Sequence, residues 1–209
     1  MTNTITVDTL TRWLTGFADR VTEQREYLTE LDSAIGDADH GANMARGMAA
    51  VVDKIGQDPA ATADALLKTT GMTLVSSVGG ASGPLYGTFF LRMGASAGAV
   101  PELDAAALGA ALRAGYEGIL QRGKAGPGDK TMIDAMLPAL DAYDAAAASG
   151  SLADALAAAS AAAAEGRDAT EPLVARKGRA SYLGERSAGH IDPGSASTAL
   201  LFDALAAAA

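Results

Sequence analysis

The chain has 209 residues, 25 acidic against 16 basic side chains, a formal net charge of −9 and 49% hydrophobic residues. That length holds one large domain or two small ones. The charge argues against general binding to nucleic acid, and no run of about 18 uncharged apolar residues is available to span a membrane. Cysteine is absent, so no disulfide forms, and residues 1–9 are too polar for a signal peptide, so a cytoplasmic location is expected. Abundant alanine, 5% aromatic residues and few β-branched runs favour helix.

Leu10, Trp13, Leu14, Phe17, Val21, Leu28 and Leu31 recur at three- and four-residue steps, which predicts one amphipathic helix over about 7–34. Gly36 ends it, and a second helix starts near His40, with Met44, Met48, Val51, Val52 and Ile55 on its apolar face, until Gly56 and Pro59. A third, about 60–77, is expected to bury Leu66, Leu67, Met72, Leu74, Val75 and Val78. Pro84 suits the first turn of a fourth, running to about 97. Glu102 to Gln121 is the fifth, 131–147 the sixth, and the alanine-rich stretch 151–173 the seventh, whose neighbours must approach closely. After a long segment, 176–194, an eighth helix closes the chain from about 195. No strand pattern, repeat or linker interrupts the series, so the expected fold is all-α, a single domain over 1–209 built as an eight-helix antiparallel up-and-down bundle.

The connections sort into two kinds. Those after the even-numbered predicted helices, 56–59, 98–101 and 149–151, are brief. Those after the odd-numbered ones carry the glycines, an acid cluster, both histidines (His40 and His190) and seven basic residues: Arg122, Lys124, Lys130, Arg176, Lys177, Arg179 and Arg186. Alternation alone puts all the unusual loops at one end, together with the N-termini of four helices, whose amides and dipoles favour an anion.

The acid cluster, Asp32, Asp37 and Asp39, packs three carboxylates into eight residues. Such a run repels itself unless a cation or hydrogen-bond donor sits among them, and an all-oxygen set suits a hard ion. Calcium in an EF-hand loop is excluded, because the twelfth position from Asp37 is Met48 and from Asp32 is Asn43, neither a bidentate Glu. Magnesium with a substrate phosphate fits; the competing reading is a glycine turn with Asp39 as an N-cap. Either histidine could contact phosphate or support a metal ligand, or be a solvated or capping side chain. Met132 and Leu85 could flank a base ring or be core. The P-loop and dinucleotide motifs are absent, and Ser82, within Gly80-Ala81-Ser82-Gly83-Pro84, is not in a GxSxG elbow.

Four segments, LDSAIGDADHGANMARG, GMTLVSSVGGASGPLYGTFF, RGKAGPGDKTMIDA and RKGRASYLGERSAGHIDPGS, together resemble the nucleotide-binding L subunit (DhaL) family of dihydroxyacetone kinases, in order and over most of the chain. The resemblance implies an eight-helix barrel with ADP or ATP and two magnesium ions at one end. It implies Asp32, Asp37 and Asp39 as metal ligands; His40, Gly41, Ala42 and Asn43, with Ala81, Ser82 and Gly83, around the phosphates; Gly123, Thr131 and Met132 beside the adenine; and Arg179, Asp192, Pro193 and Gly194 completing the pocket. No protein nucleophile is expected. A start within ten residues of Met1 resembles the stand-alone, phosphotransferase-system-dependent type. There a phosphohistidine on a partner M subunit recharges bound ADP, and the γ-phosphoryl passes to dihydroxyacetone on a K subunit. An ATP-dependent kinase subunit for dihydroxyacetone or a related sugar, an ADP-sensing regulatory module, a magnesium-dependent nucleotide hydrolase and a homodimeric state stand as further expectations.

Overall fold

A computed structural model describes residues 4–209, so positions 1–3 of the expected domain lie outside the described residues. Among the described residues the chain is all-α apart from two three-residue strands. In order it forms β1 (Thr4–Thr6), α1 (Val7–Glu23), α2 (Arg25–Ile35), α3 (His40–Gln57), α4 (Ala63–Ser77), α5 (Ser82–Ala97), β2 (Glu102–Asp104), α6 (Ala105–Gly123), α7 (Met132–Ala147), α8 (Leu152–Asp168), a 3-10 segment (Arg179–Ser187) and α9 (Pro193–Ala208). Among the described residues no helix is long and apolar enough to cross a membrane.

Three local expectations are corrected. The single helix over 7–34 is two helices broken at Gln24, whose φ of −94° and ψ of 13° end α1 while its N–H still bonds Arg20 O. Neither glycine nor proline marks the break, so the apolar spacing runs through it unchanged. Where no strand was expected, Thr4–Thr6 pairs antiparallel with Glu102–Asp104. Three residues are too few to show alternation, yet Ile5 and Leu103 are buried beneath the pair. Finally, Met72 and Val75 on α4 are 58% and 47% exposed. The face carrying Thr70, Gly71 and Leu74 is the one that packs inward, and periodicity cannot choose a face on a helix that is apolar most of the way round.

The core is one continuous cluster around Trp13, Phe17, Tyr86, Phe89, Phe90 and Phe202. Trp13 packs on Phe90 with centroids 5.6 Å apart, and its indole N–H donates to Leu201 O at 2.9 Å. The alanine-rich α8 behaves as its composition demands. A Cβ on Gly166 would lie 2.4 Å from Asp134 O of α7, so small side chains are what let these two helices close on each other. The capping boxes Thr131/Asp134 and Ser151/Asp154 fix where α7 and α8 begin.

Candidate functional site

The N-termini of α3, α5, α7 and α9 converge on one cavity of about 420 Å³, with residues 177–180 before and within the 3-10 segment at its edge. The convergence inferred from alternation is therefore present. The cavity is lined by Asp32, Asp37, Asp39 and His40, by Ala81 and Ser82, and by Gly123, Thr131, Met132, Arg179, Asp192, Pro193 and Gly194. Gly41, Ala42, Asn43 and Gly83 do not line it. Gly41 lies under α2, where a Cβ would sit 2.1 Å from Arg25 O, and Gly83 lies against Val78 O. The Asn43 amide oxygen accepts from Arg46 at 2.6 Å, and Asn43 is buried. Gly41 and Gly83 thus let the starts of α3 and α5 pack closely on their neighbours.

Asp32 stands on the last turn of α2, and Asp37 and Asp39 on the link to α3. One carboxylate oxygen from each lies within 4.8 Å of the others. The capping reading of Asp39 is overturned, since its side chain makes no capping bond. Asp32 takes that role through space: its Oδ2 accepts the backbone N–H of Asp39 at 2.8 Å and of His40 at 3.1 Å. Gly36 is required beside it, because a Cβ there would lie 1.9 Å from Asp32 Oδ1. Ala38, with φ of 59°, turns the link so that Asp37 and Asp39 face the same space. Arg179 Nε reaches Asp37 Oδ2 at 2.8 Å, so a cation already stands at the edge of the cluster. Three hard oxygen donors gathered this closely, next to amides opening a helix, fit a divalent cation shared with a phosphate.

Behind the acids, His40 is buried between Ser82 Oγ, 3.1 Å from Nδ1, and Ser197 Oγ, 2.9 Å from Nε2. Burial lowers its pKa below the ordinary value, against the pull of Asp32 and Asp39. The Tyr86 hydroxyl, its pKa pushed up to about 12 by burial, touches Ser197 Oγ at 2.8 Å and Thr198 Oγ1 at 3.1 Å. Sequence reasoning missed Tyr86, Ser197 and Thr198. The available signal was three hydroxyls, at 195, 197 and 198, in a helix whose one other polar side chain is Asp203.

Leu85, Ile119 and Met132 add apolar side chains to the lining, chemistry that suits a planar ring. Lys130 corrects an expectation. Counted among the rim cations, it is 1% exposed. Its ammonium donates to Thr170 O at 2.8 Å, Leu173 O at 3.1 Å, Glu171 O at 3.3 Å and, by a very short contact, His190 O. That charge ties loops together and is not available to a phosphate. His190 contributes its carbonyl while its side chain is exposed.

Asp192 N-caps α9 through Ser195 N, at 2.6 Å, and accepts Ser195 Oγ at 2.9 Å. Burial, with Asp134 nearby, raises its pKa to about 6, although the Ser195 bonds and Lys130 oppose the rise. A carboxyl whose pKa is higher folded than unfolded binds more protons in the folded state. Its neutral form therefore stabilises the fold at low pH, and that contribution is lost as pH rises from about 4 through about 6. Asp192→Asn keeps the neutral state at every pH. Between pH 4 and 7 its stability in urea, relative to wild type, should improve by roughly 3 kcal/mol in the nucleotide-free protein. A constant difference across that range would contradict the burial of an ionisable Asp192.

The chain is similar to known proteins over most of its length. The family model described as the DAK2 domain matches residues 34–207. The chain is 47% identical over 201 residues, 96% of both chains, to the Escherichia coli protein named PEP-dependent dihydroxyacetone kinase, ADP-binding subunit DhaL. It is 45% identical, over 96% of this chain and 97% of the other, to the Lactococcus lactis protein named PTS-dependent dihydroxyacetone kinase, ADP-binding subunit DhaL. Among solved structures, the dihydroxyacetone kinase from C. freundii in complex with AMP-PNP and Mg2+ superposes with a TM-score of 0.73 at 28% identity, over 95% of this chain and 33% of that one. The chain thus spans about a third of that solved kinase but nearly the full length of the two subunits. On the strength of a family match across most of its length and of this identity to full-length relatives, the chain belongs to the DAK2-domain family, in its DhaL branch.

Proposed function

We propose that this protein is the ADP-binding subunit of a phosphoenolpyruvate-dependent dihydroxyacetone kinase, acting in the cytoplasm as a single domain. The observation that carries the reading is the meeting, in one cavity, of three carboxylates, four helix N-termini and apolar side chains. In this reading Asp32, Asp37 and Asp39 hold two magnesium ions, Arg179 and the first amides of α3 and α5 face the phosphates, and Leu85, Ile119 and Met132 enclose the adenine. ADP held there with magnesium would supply the phosphoryl acceptor and, once charged, the phosphoryl donor, with the metal neutralising its charge. The protein's own residues bind, orient and exclude water; none serves as nucleophile. The phosphoryl group arrives from a phosphohistidine on a partner M subunit and leaves for dihydroxyacetone on a partner K subunit, both approaching the open rim.

A prosthetic nucleotide must survive purification. Protein purified in magnesium, denatured and chromatographed should release about one ADP per chain, the occupancy of a tight site. A nucleotide-free supernatant would sink the prosthetic reading. Transfer reconstituted with K subunit and phosphodonor distinguishes this subunit from an ADP-sensing module, and phosphate release by the isolated chain would point to a hydrolase instead.

A further inference from the structure

The seven basic side chains of the rim loops have different fates. Lys124, Arg176 and Arg186 are exposed but do not line the cavity. Lys130 lines it, with its ammonium already enclosed by four backbone carbonyls. Arg179 lines it with its Nε on Asp37 Oδ2. Arg122 lines it from the last turn of α6, where the end of a helix favours a cation whatever stands nearby. Lys177 remains. It lines the cavity and is exposed, and among the described residues its ammonium makes no hydrogen bond or ion pair. The backbone ties it to the acid cluster: two residues span at most about 7 Å, so its Cα lies within that distance of the Cα of Arg179, whose guanidinium touches Asp37.

A site for phosphoryl transfer needs such a group. Three carboxylates already stand in the cluster, and every phosphoryl group that joins a bound nucleotide adds negative charge beside them. The charge of a phosphoryl group in transit spreads over its three outer oxygens. A donor that serves those oxygens must follow the group from one position to the next. A compact ammonium on a flexible four-carbon stem does this more readily than a guanidinium already seated on a carboxylate. We propose that Lys177 is a catalytic residue kept for the transferred phosphoryl group and not for ADP, its ammonium meeting the oxygens of the third phosphate. The inference rests on the nucleotide reading above. As the group arrives, its bond to the donor's nitrogen breaks, the electron pair stays on that nitrogen, and a bond to the terminal oxygen of ADP forms. Lys177 makes no bond to phosphorus and neither gives nor takes a proton; it offsets charge.

Relative affinity separates this role from a general attraction to anions. Calorimetry on protein stripped of nucleotide, with magnesium present, compares ADP with AMP-PNP, which carries the third phosphate. Lys177 is exposed, so its variants fold. Lys177→Gln should bind ADP within about twofold of wild type and AMP-PNP about tenfold more weakly. Transfer reconstituted with K subunit and phosphodonor should fall about 10²-fold, and Lys177→Arg, which keeps the charge, should recover most of both losses. Arg176→Gln removes the same charge one residue away, outside the lining, and should change neither quantity by more than about twofold. Equal losses for ADP and AMP-PNP, no loss for either, or losses in Arg176→Gln as large as in Lys177→Gln overturn this inference and leave the nucleotide reading standing. Wild-type protein that binds neither nucleotide overturns that reading and the inference with it.

Discussion

Phosphoryl transfer by the Asp37→Asn protein is expected to fall by about 10²–10³-fold, the loss that follows removal of one group stabilising charge at a reacting centre, with helix content and melting temperature unchanged. The separation of the two effects comes from where Asp37 stands. Its side chain is 36% exposed, and its one ion pair is with Arg179, itself 68% exposed. An exposed pair of that kind contributes at most about 1 kcal/mol, so the fold does not depend on it. Asp32 supplies the contrast. It is buried, and its Oδ2 holds two backbone amides at the start of α3. Asp32→Asn should therefore lose transfer and also destabilise the protein, since an amide cannot accept both N–H groups as strongly as a carboxylate. Transfer assayed with K subunit and phosphodonor, beside thermal melts, checks both. Full activity in Asp37→Asn would remove Asp37 from the metal site.

Lys130→Met is expected to lower stability by about 3 kcal/mol or more, roughly 6–12 °C in melting temperature for a domain of this size. Methionine matches the length of the lysine stem but brings no donor, leaving the carbonyls of Thr170, Glu171, Leu173 and His190 without the ammonium they surround. Burial lowers the pKa of Lys130, while Asp192 and Glu171 act in the other direction, and the carbonyl cage keeps the charged form favourable. Because these four carbonyls belong to the loop before the 3-10 segment and the turn before α9, the same variant should loosen the wall that carries Asp192, Pro193 and Gly194 and weaken ADP binding as well. Lys130 also has φ of 63°. Glycine would relieve that backbone conformation without restoring the ammonium. Urea melts of Lys130→Met and Lys130→Gly separate the two contributions: a glycine variant as stable as wild type would show that backbone strain, and not the cage, governs this position.

Much of this protein was legible in its sequence for a local reason. Helix existence follows from alanine content and three- and four-residue apolar spacing, both properties of neighbours along the chain, so all but one of the predicted helices appear as single elements, although the fifth starts at Ala105 because Glu102–Asp104 is a strand, and the seventh ends at Asp168 rather than at 173. Alternating plain and glycine-rich loops was enough to bring Asp32, Ser82, Thr131 and Asp192 to one end, because short connections force antiparallel neighbours. What failed depends on contacts made through space. The break at Gln24 carries no local signal, Met72 and Val75 lie on a face that only packing selects, and the β1–β2 pair joins segments nearly a hundred residues apart.

The site divides in the same way. The three carboxylates are clustered in sequence and stay clustered in space. The work of Asp32 as holder of the α3 amides, the caging of Lys130, and the hydroxyl chain from Ser82 through His40 to Tyr86 and Thr198 all depend on residues brought together from different helices and loops. The sequence by itself determined an all-α chain with its acids, glycines and histidines at one rim, since these follow from composition and from the lengths of connections. Only the tertiary structure decided which of those polar groups face the cavity and which are consumed in building it, because that depends on which buried donor meets which acceptor once the helices have packed.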